Sequence, residues 1–189
     1  MEEKERIQIL KGISKALMPK LPYHNFSHAL EVLRAVNEYT RDSEVQEQDR
    51  KLLRAAAIIH DLVYEIGRSD NEERSIELAQ PILQGLGYST WEQEQIRKLI
   101  LATKMPQQPS NELEQLICDA DLDNLGREYF FERGERIREE LGVVDGGDWY
   151  RKQLSFLRGH EYHSEIARKL RSKGKEGNIK ELERRLGVS

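Results

Sequence analysis

The sequence predicts an all-α fold, a single-domain multi-helix bundle. Three observations carry this. Apolar residues recur at steps of three and four along nearly the whole chain, the period of a helix with one buried face. No run alternates apolar and polar residues for long enough to argue for a sheet. The 189 residues suit one hydrophobic core that needs neither disulfides nor a structural metal.

The elements follow in order. Ile7, Leu10, Ile13 and Leu17 form one apolar face, stopped by Pro19 and Pro22. Leu30, Leu33 and Val36 repeat the signal from Ser27 to about Thr40. A third helix runs from about Gln46 to Val63, and its stretch Ala55 to Ile59 is apolar all round, as a central buried helix would be. Asp70, with Glu73 three residues later, is an expected N-cap. Ile76, Ala79, Ile82 and Leu83 give that helix its apolar face, with Pro81 inside it or kinking it. Thr90 and Gln93 open the next helix, which carries Ile96, Leu99 and Ile100 and breaks at Met105 to Pro109. Further helices are expected over 112–118, 127–141, 149–157 and 164–170, with a short one over 179–186. Loops are expected over 142–147 and 172–177. The organisation read from this is an N-terminal helix over 1–19, the main domain over 20–171, and a charged tail or short helix over 172–189.

Composition narrows the function. Lys and Arg number 30 against 34 Asp and Glu, a net charge of −4. Both signs are interspersed, so no stable nucleic-acid complex is expected. The one cysteine, Cys118, permits no internal disulfide and is expected to be buried and inert. No stretch approaches the ~20 apolar residues of a membrane span. The opening MEEKERIQIL lacks the apolar core of a signal peptide. The expected location is the cytoplasm.

Three of the five histidines fall between positions 24 and 60. His24 and His28 are four apart, which on a helix is one face. His60 and Asp61 follow an apolar run, and burying them costs several kcal/mol unless they are paired or bind a cation. Asp119, Asp121 and Asp123 follow Leu116 and Ile117, and their mutual repulsion would be relieved by a divalent ion. Mixed nitrogen and oxygen donors suit Mn, Fe, Zn, Co or Ni better than Ca. A water held on such a metal ionises near neutral pH, and a phosphate oxygen could take another position.

The order of these words resembles the HD-domain superfamily of metal-dependent phosphohydrolases, and the resemblance spans roughly residues 20–170. Tyr23-His24-Asn25-x-x-His28-Ala29 is similar to the signature of HD enzymes related in pattern to cyclic nucleotide phosphodiesterases. Asp119-Ala120-Asp121-Leu122-x-x-Leu125-Gly126 is similar to the closing Asp motif. His60-Asp61-Leu62-Val63-Tyr64, then Asn71-Glu72-Glu73-Arg74-Ser75 and Ala102-Thr103-Lys104, resemble a bacterial subgroup of HD phosphohydrolases. The resemblance implies a phosphodiesterase-like helical bundle with His28, His60, Asp61 and Asp121 as metal ligands. Asp121 is preferred to Asp119 because the family's last ligand directly precedes the Leu-containing turn. His24 would be the general acid, Asn25 would orient it, and Lys104 would neutralise a substrate phosphate. The family's multi-metal members carry further histidines before the last Asp. This chain has none from 62 to 159, so one transition metal is expected, with any second Mg or Mn held weakly through Asp61.

The implied activity is hydrolysis of a phosphate ester of a nucleotide or similar small molecule by metal-bound hydroxide. The alternative is a module on the same scaffold that binds metal and nucleotide without turnover. The bland reading of the same residues is a buried, metal-free His–Asp cluster. Glu65 and Glu72 are further candidate substrate contacts. Tyr23 and Tyr64 are read as aromatic packing, Asp123 as a cap or solvent-facing, and His160 and His163 as surface residues.

Overall fold

The computed structural model describes residues 2–188. Among them the ordered elements are helical: α1 (Glu3–Leu17), α2 (Phe26–Tyr39), α3 (Glu47–Ile59), α4 (Asn71–Gly85), α5 (Thr90–Ala102), α6 (Glu112–Asp121), a 3-10 turn (Asp123–Gly126), α7 (Phe130–Glu140), α8 (Gly147–Gly159) and α9 (Glu165–Leu186). No strand occurs among the described residues, in line with the missing period-two pattern. None of the helices is long and apolar enough to cross a membrane.

Helix α3 is the axis of the bundle. Residues Ala55 to Ile59 are all buried, so every face of this stretch needs a neighbour. Helices α1, α2, α5 and α6 supply them. The small alanines let those helices approach closely. Each residue buried here removes apolar surface from water at roughly 25 cal/mol per Å².

Helix ends depart from the sequence reading by a few residues, with definite causes. α3 stops at Ile59 rather than near Val63, and the chain turns sharply through Asp61. α5 is capped by Ser89 and Glu92 in a reciprocal capping box, one residue before the expected pair. Asp70 makes no side-chain cap for α4, because its carboxylate receives two 2.7 Å hydrogen bonds from Arg68. Pro81 sits inside α4 without ending it. α6 extends to Asp121, which puts two of the three clustered aspartates on its last turn.

The largest departure is at the C-terminus. The expected loop over 172–177 is helical, and α9 is continuous from Glu165 to Leu186. Gly174, in the expected loop, serves a close crossing instead. A Cβ on Gly174 would lie 2.0 Å from the carbonyl oxygen of Gly126, and one on Gly126 would lie 2.6 Å from that of Arg171. α9 thus rides directly over the 3-10 turn. Asp123 locks the crossing. It accepts hydrogen bonds from Tyr39 Oη at 2.7 Å, Arg127 Nε at 2.5 Å and Arg171 Nε at 2.5 Å. Both arginines also reach Glu38 on α2. Asp123 is therefore buried, not a solvent-facing cap.

Alanine normally stabilises a helix interior relative to glycine by roughly 0.5–1 kcal/mol. Gly174→Ala is expected to do the reverse, lowering stability by about 1–3 kcal/mol because the methyl meets backbone rather than a movable side chain. Urea unfolding of the two proteins checks this. An unchanged or raised midpoint would contradict the close crossing.

Candidate metal centre and adjoining cavity

The ends of three helices deliver the imidazole and carboxylate groups to one point. Asn25 is the N-cap of α2, and its Oδ1 accepts from Ser27 N–H at 2.8 Å and His28 N–H at 3.4 Å. Its amide nitrogen donates to the carbonyls of Leu21 and Pro22. Asn25 is thus committed to the backbone, and its effect on the site runs through the first turn that carries His28. His60 follows α3 directly. Its Nδ1–H donates to the carbonyl of Ala57 at 3.1 Å, which leaves the Nε2 lone pair free.

His28 Nε2 lies 3.0 Å from Asp121 Oδ1 and 3.7 Å from Asp61 Oδ2. His60 Nε2 lies 3.2 Å from Asp61 Oδ2 and 3.4 Å from Asp121 Oδ1. One ligand atom each from His28, His60 and Asp121 fall within 4.8 Å of one another. His60 Nε2 is buried and has no hydrogen-bond partner. A buried, unpaired ring nitrogen is costly. A cation between the two imidazoles and two carboxylates would satisfy it, and this donor set fits a divalent transition metal.

The electrostatics are those of a buried set of opposite charges. Burial pushes the Asp61 carboxyl up, but His60 foremost, with His24 and His28, brings it below its ordinary range. Asp121 is likewise lowered against the penalty of burial, by its hydrogen bond with His28 and the nearby imidazoles of His28 and His60. Burial disfavours a charged His60, yet the negative charge of Asp61 and Asp121 raises it overall. Asp119, by contrast, points to another task. Its carboxylate accepts from His163 N–H at 2.8 Å, Ser164 N–H at 2.7 Å and Ser164 Oγ–H at 2.6 Å, tying α6 to the start of α9.

His24 sits beside the cluster in a fixed pose. Its Nδ1 meets Glu140 Oε1, and its backbone N–H and that of Tyr23 each donate to Glu140 Oε2 at 2.9 Å. Its ring stacks on Tyr64, with centroids 3.5 Å apart. Burial raises the Glu140 carboxyl, but the hydrogen bond and charge of His24 and the two N–H donors bring it below its usual range. Glu140 was not singled out in the sequence. The available signal was its place on the stripe Phe130, Gly134, Ile137, where an acid must find a partner.

The remaining candidates lie further out. Lys104 Nζ is 2.5 Å from Glu73 Oε1 in an exposed ion pair. Glu65 is exposed and receives Arg74 at 2.9 Å; because α3 ends at Ile59, the four-residue step from Asp61 no longer puts it on the same face. Glu72 is half-buried, and burial, with Asp61 nearby, raises its carboxyl. Tyr23 packs on the His28 ring, centroids 4.7 Å apart. His160 is mostly covered, and burial with Lys175 beside it lowers it to about 4; it is not the surface residue the sequence suggested. Cys118 is buried, as the sequence reading had it.

A cavity of about 450 Å³ opens beside the cluster. His24 and Asp121 of the cluster are among its lining residues. Leu122, Leu125, Phe130, Ile137, Phe156 and Leu157 supply mostly apolar walls, contributed by the 3-10 turn region, α7 and α8.

The sequence profile of the HD domain matches residues 25–124. No curated protein matches the sequence significantly. Among solved structures, the crystal structure of Bacillus subtilis YpgQ in complex with ADP is similar with a TM-score of 0.72 at 17% identity. The match covers 97% of this chain and 96% of that one. At that identity the likeness is one of fold.

Glu140 supports stability only while ionised. Its folded-state carboxyl is lowered, so its contribution is full above the unfolded value and is lost as pH falls. Glu140→Gln is expected to cost about 1–3 kcal/mol at pH 7. The gap to wild type should close as pH falls from about 5. Urea titrations from pH 7 to 3.5 measure it, and a gap that stays constant would remove the ionised pair from the account.

Proposed function

The chain belongs to the HD domain family, and from that premise we propose that it is a metal-dependent hydrolase of a phosphate ester, with a nucleotide or similar small phosphorylated molecule as substrate. Members of the family are generally metal-dependent phosphohydrolases. The observation that carries the reading is the buried His60 Nε2 with no partner, 3.2 Å from Asp61 and 3.4 Å from Asp121. The ADP in the YpgQ complex is consistent with a nucleotide.

In this reading His28, His60, Asp61 and Asp121 hold one divalent transition metal. When bound, that cation supplies polarisation of a phosphoryl oxygen and acidification of a water molecule. It also reverses the local field. Asp61, Asp121 and Glu140 make the bare pocket acidic, so a phosphate is welcome only once their charge is offset.

The protein's own groups supply the rest. Hydrolysis forms a bond from water oxygen to phosphorus, with that water's proton released to solvent, and breaks the bond to the leaving oxygen, which needs a proton. His24 Nε2–H donates it. Nδ1–H stays on Glu140, so the ring holds one orientation with Nε2 turned away from the carboxylate. Tyr64 covers one face of the ring and limits its rotation. Lys104 can meet a phosphate only by leaving Glu73, and Glu72 is near enough to Asp61 to feel its charge. Glu65, committed to Arg74, is given no role.

The protein supplied with Mn or Ni is expected to hydrolyse a nitrophenyl phosphomonoester or diester. Asp61→Ala should reduce kcat/KM by about 100-fold or more. Equal rates in the two proteins would sink the reading.

His24→Gln has a sharper signature. A nitrophenolate leaves without a proton, whereas an alkoxide such as ribose oxygen does not. His24→Gln should therefore cost about 10²–10⁴ on a nucleotide ester and little on the nitrophenyl ester. Equal losses on both would make His24 a binding or structural group instead.

A further inference from the structure

Three residues that line the 450 Å³ cavity carry polar side chains, and two of them have a buried polar atom with no protein partner among the described residues. Asn124 Oδ1 is buried and accepts nothing, and Trp149 Nε1 is buried and donates to nothing. The Gln153 side chain is 8% exposed and lines the same cavity. Its amide rests on Gly134 of α7, where a Cβ would come within 2.1 Å of Nε2. Asn124 and Trp149 are 7% and 6% exposed. Buried polar groups without partners are few in folded proteins, and each needs an explanation.

We infer that this cavity is a recognition pocket for a planar heteroaromatic ring, a nucleobase, and that Asn124, Trp149 and Gln153 hydrogen-bond its edge. The chemistry of the three groups selects the guest. The indole N–H can only donate, so it requires an acceptor such as a ring nitrogen or carbonyl oxygen. Asn124 Oδ1 can only accept, so it requires a ring N–H or an exocyclic amino group. The Gln153 amide offers both. The guest must therefore carry donor and acceptor on one edge while its faces fill space between Phe130, Ile137, Phe156 and Leu157. A simple phenyl ring lacks the edge groups. A free sugar would leave its hydroxyls against apolar walls. A phosphate would find one lysine, Lys152, among the lining residues.

Position gives the pocket its use. His24 and Asp121 are among the residues that line it, so a guest with a ring in the cavity and a phosphate at the cluster is a nucleotide. The link to catalysis rests on the phosphohydrolase reading; the pocket's ligand class does not.

The test separates the two. In a Trp91→Phe background Trp149 is the sole tryptophan, since the chain has two. Trp91 is exposed on α5, away from the cavity. The metal-free protein is titrated with adenosine, guanosine, cytidine and uridine, following Trp149 emission with calorimetry as a second readout. At least one nucleoside should give saturable binding. Gln153→Met and Asn124→Leu should each weaken it about tenfold or more. Gly134→Ala, which displaces the Gln153 amide without deleting it, should weaken it in the same direction. Should Asn124→Leu fail to fold by circular dichroism, Gln153→Met decides alone.

Absence of binding by every nucleoside, or undiminished binding in the variants, overturns the inference. If nitrophenyl esters are still hydrolysed in that case, the phosphohydrolase reading survives it. If nucleosides bind and the variants lose them, the inference stands even where no ester is turned over.

Discussion

The buried meeting of His28, His60, Asp61 and Asp121 is the constraint that the rest of the structure serves. Carboxylates and imidazoles are expensive to bury, and a half-satisfied set is worse than an apolar core. Such a cluster persists only where surrounding groups over-determine its geometry. Asn25 fixes the first turn of α2 beneath His28. The Ala57 carbonyl fixes the tautomer of His60. Asp119, on the same helical turn as Asp121, is held by three donors from 163–164 and so anchors the end of α6. Beneath all three, the Ala55–Ile59 stretch lets the helices pack closely enough for their ends to meet. The burial of apolar surface around α3 is what offsets the polar cost at its tip.

The division of labour along the chain is also physical. Helices α2, α3 and α6 bring the His–Asp cluster together, and these lie within the stretch that the HD profile matches. Helices α7 and α8 lie beyond it. They supply Glu140 against His24 and most of the cavity wall.

Much of this was legible in the sequence, for reasons that can be stated residue by residue. Helical periodicity is a local signal, so the bundle and its central helix could be read directly. The His–Asp words are local too, and their order carried the family. What escaped reading was set by contacts between distant elements. Glu140 is one acid in the charged stretch Arg136 to Glu140, and only its partner 116 residues away shows its task. Asp119 and Asp121 are indistinguishable by composition; the donors from 163–164 separate them. Gly174 fell in an expected loop because nothing local reveals the Gly126 carbonyl beneath it. Gly134, in the interior of α7, was the one overlooked glycine whose position hinted at close approach, and the Gln153 amide is what approaches.

The 3-10 turn explains how the two halves of the site stay in register. Asp121 ends α6 at the cluster, and Asn124 lies three residues on, in the wall of the cavity. Between them Asp123 is clamped by Tyr39 of α2, Arg127 and Arg171 of α9, and both arginines are tied again to Glu38. A buried ionic network of this kind is weak evidence for stability. It is good evidence for geometry, because no single partner can move without leaving another charge unpaired. The spacing from the carboxylate of Asp121 to the amide of Asn124 is therefore held by α2 and α9 together. The 3-10 turn thus fixes the distance between the His–Asp cluster and the cavity wall, and under the proposed nucleotide reading that distance is the one a guest touching both has to span.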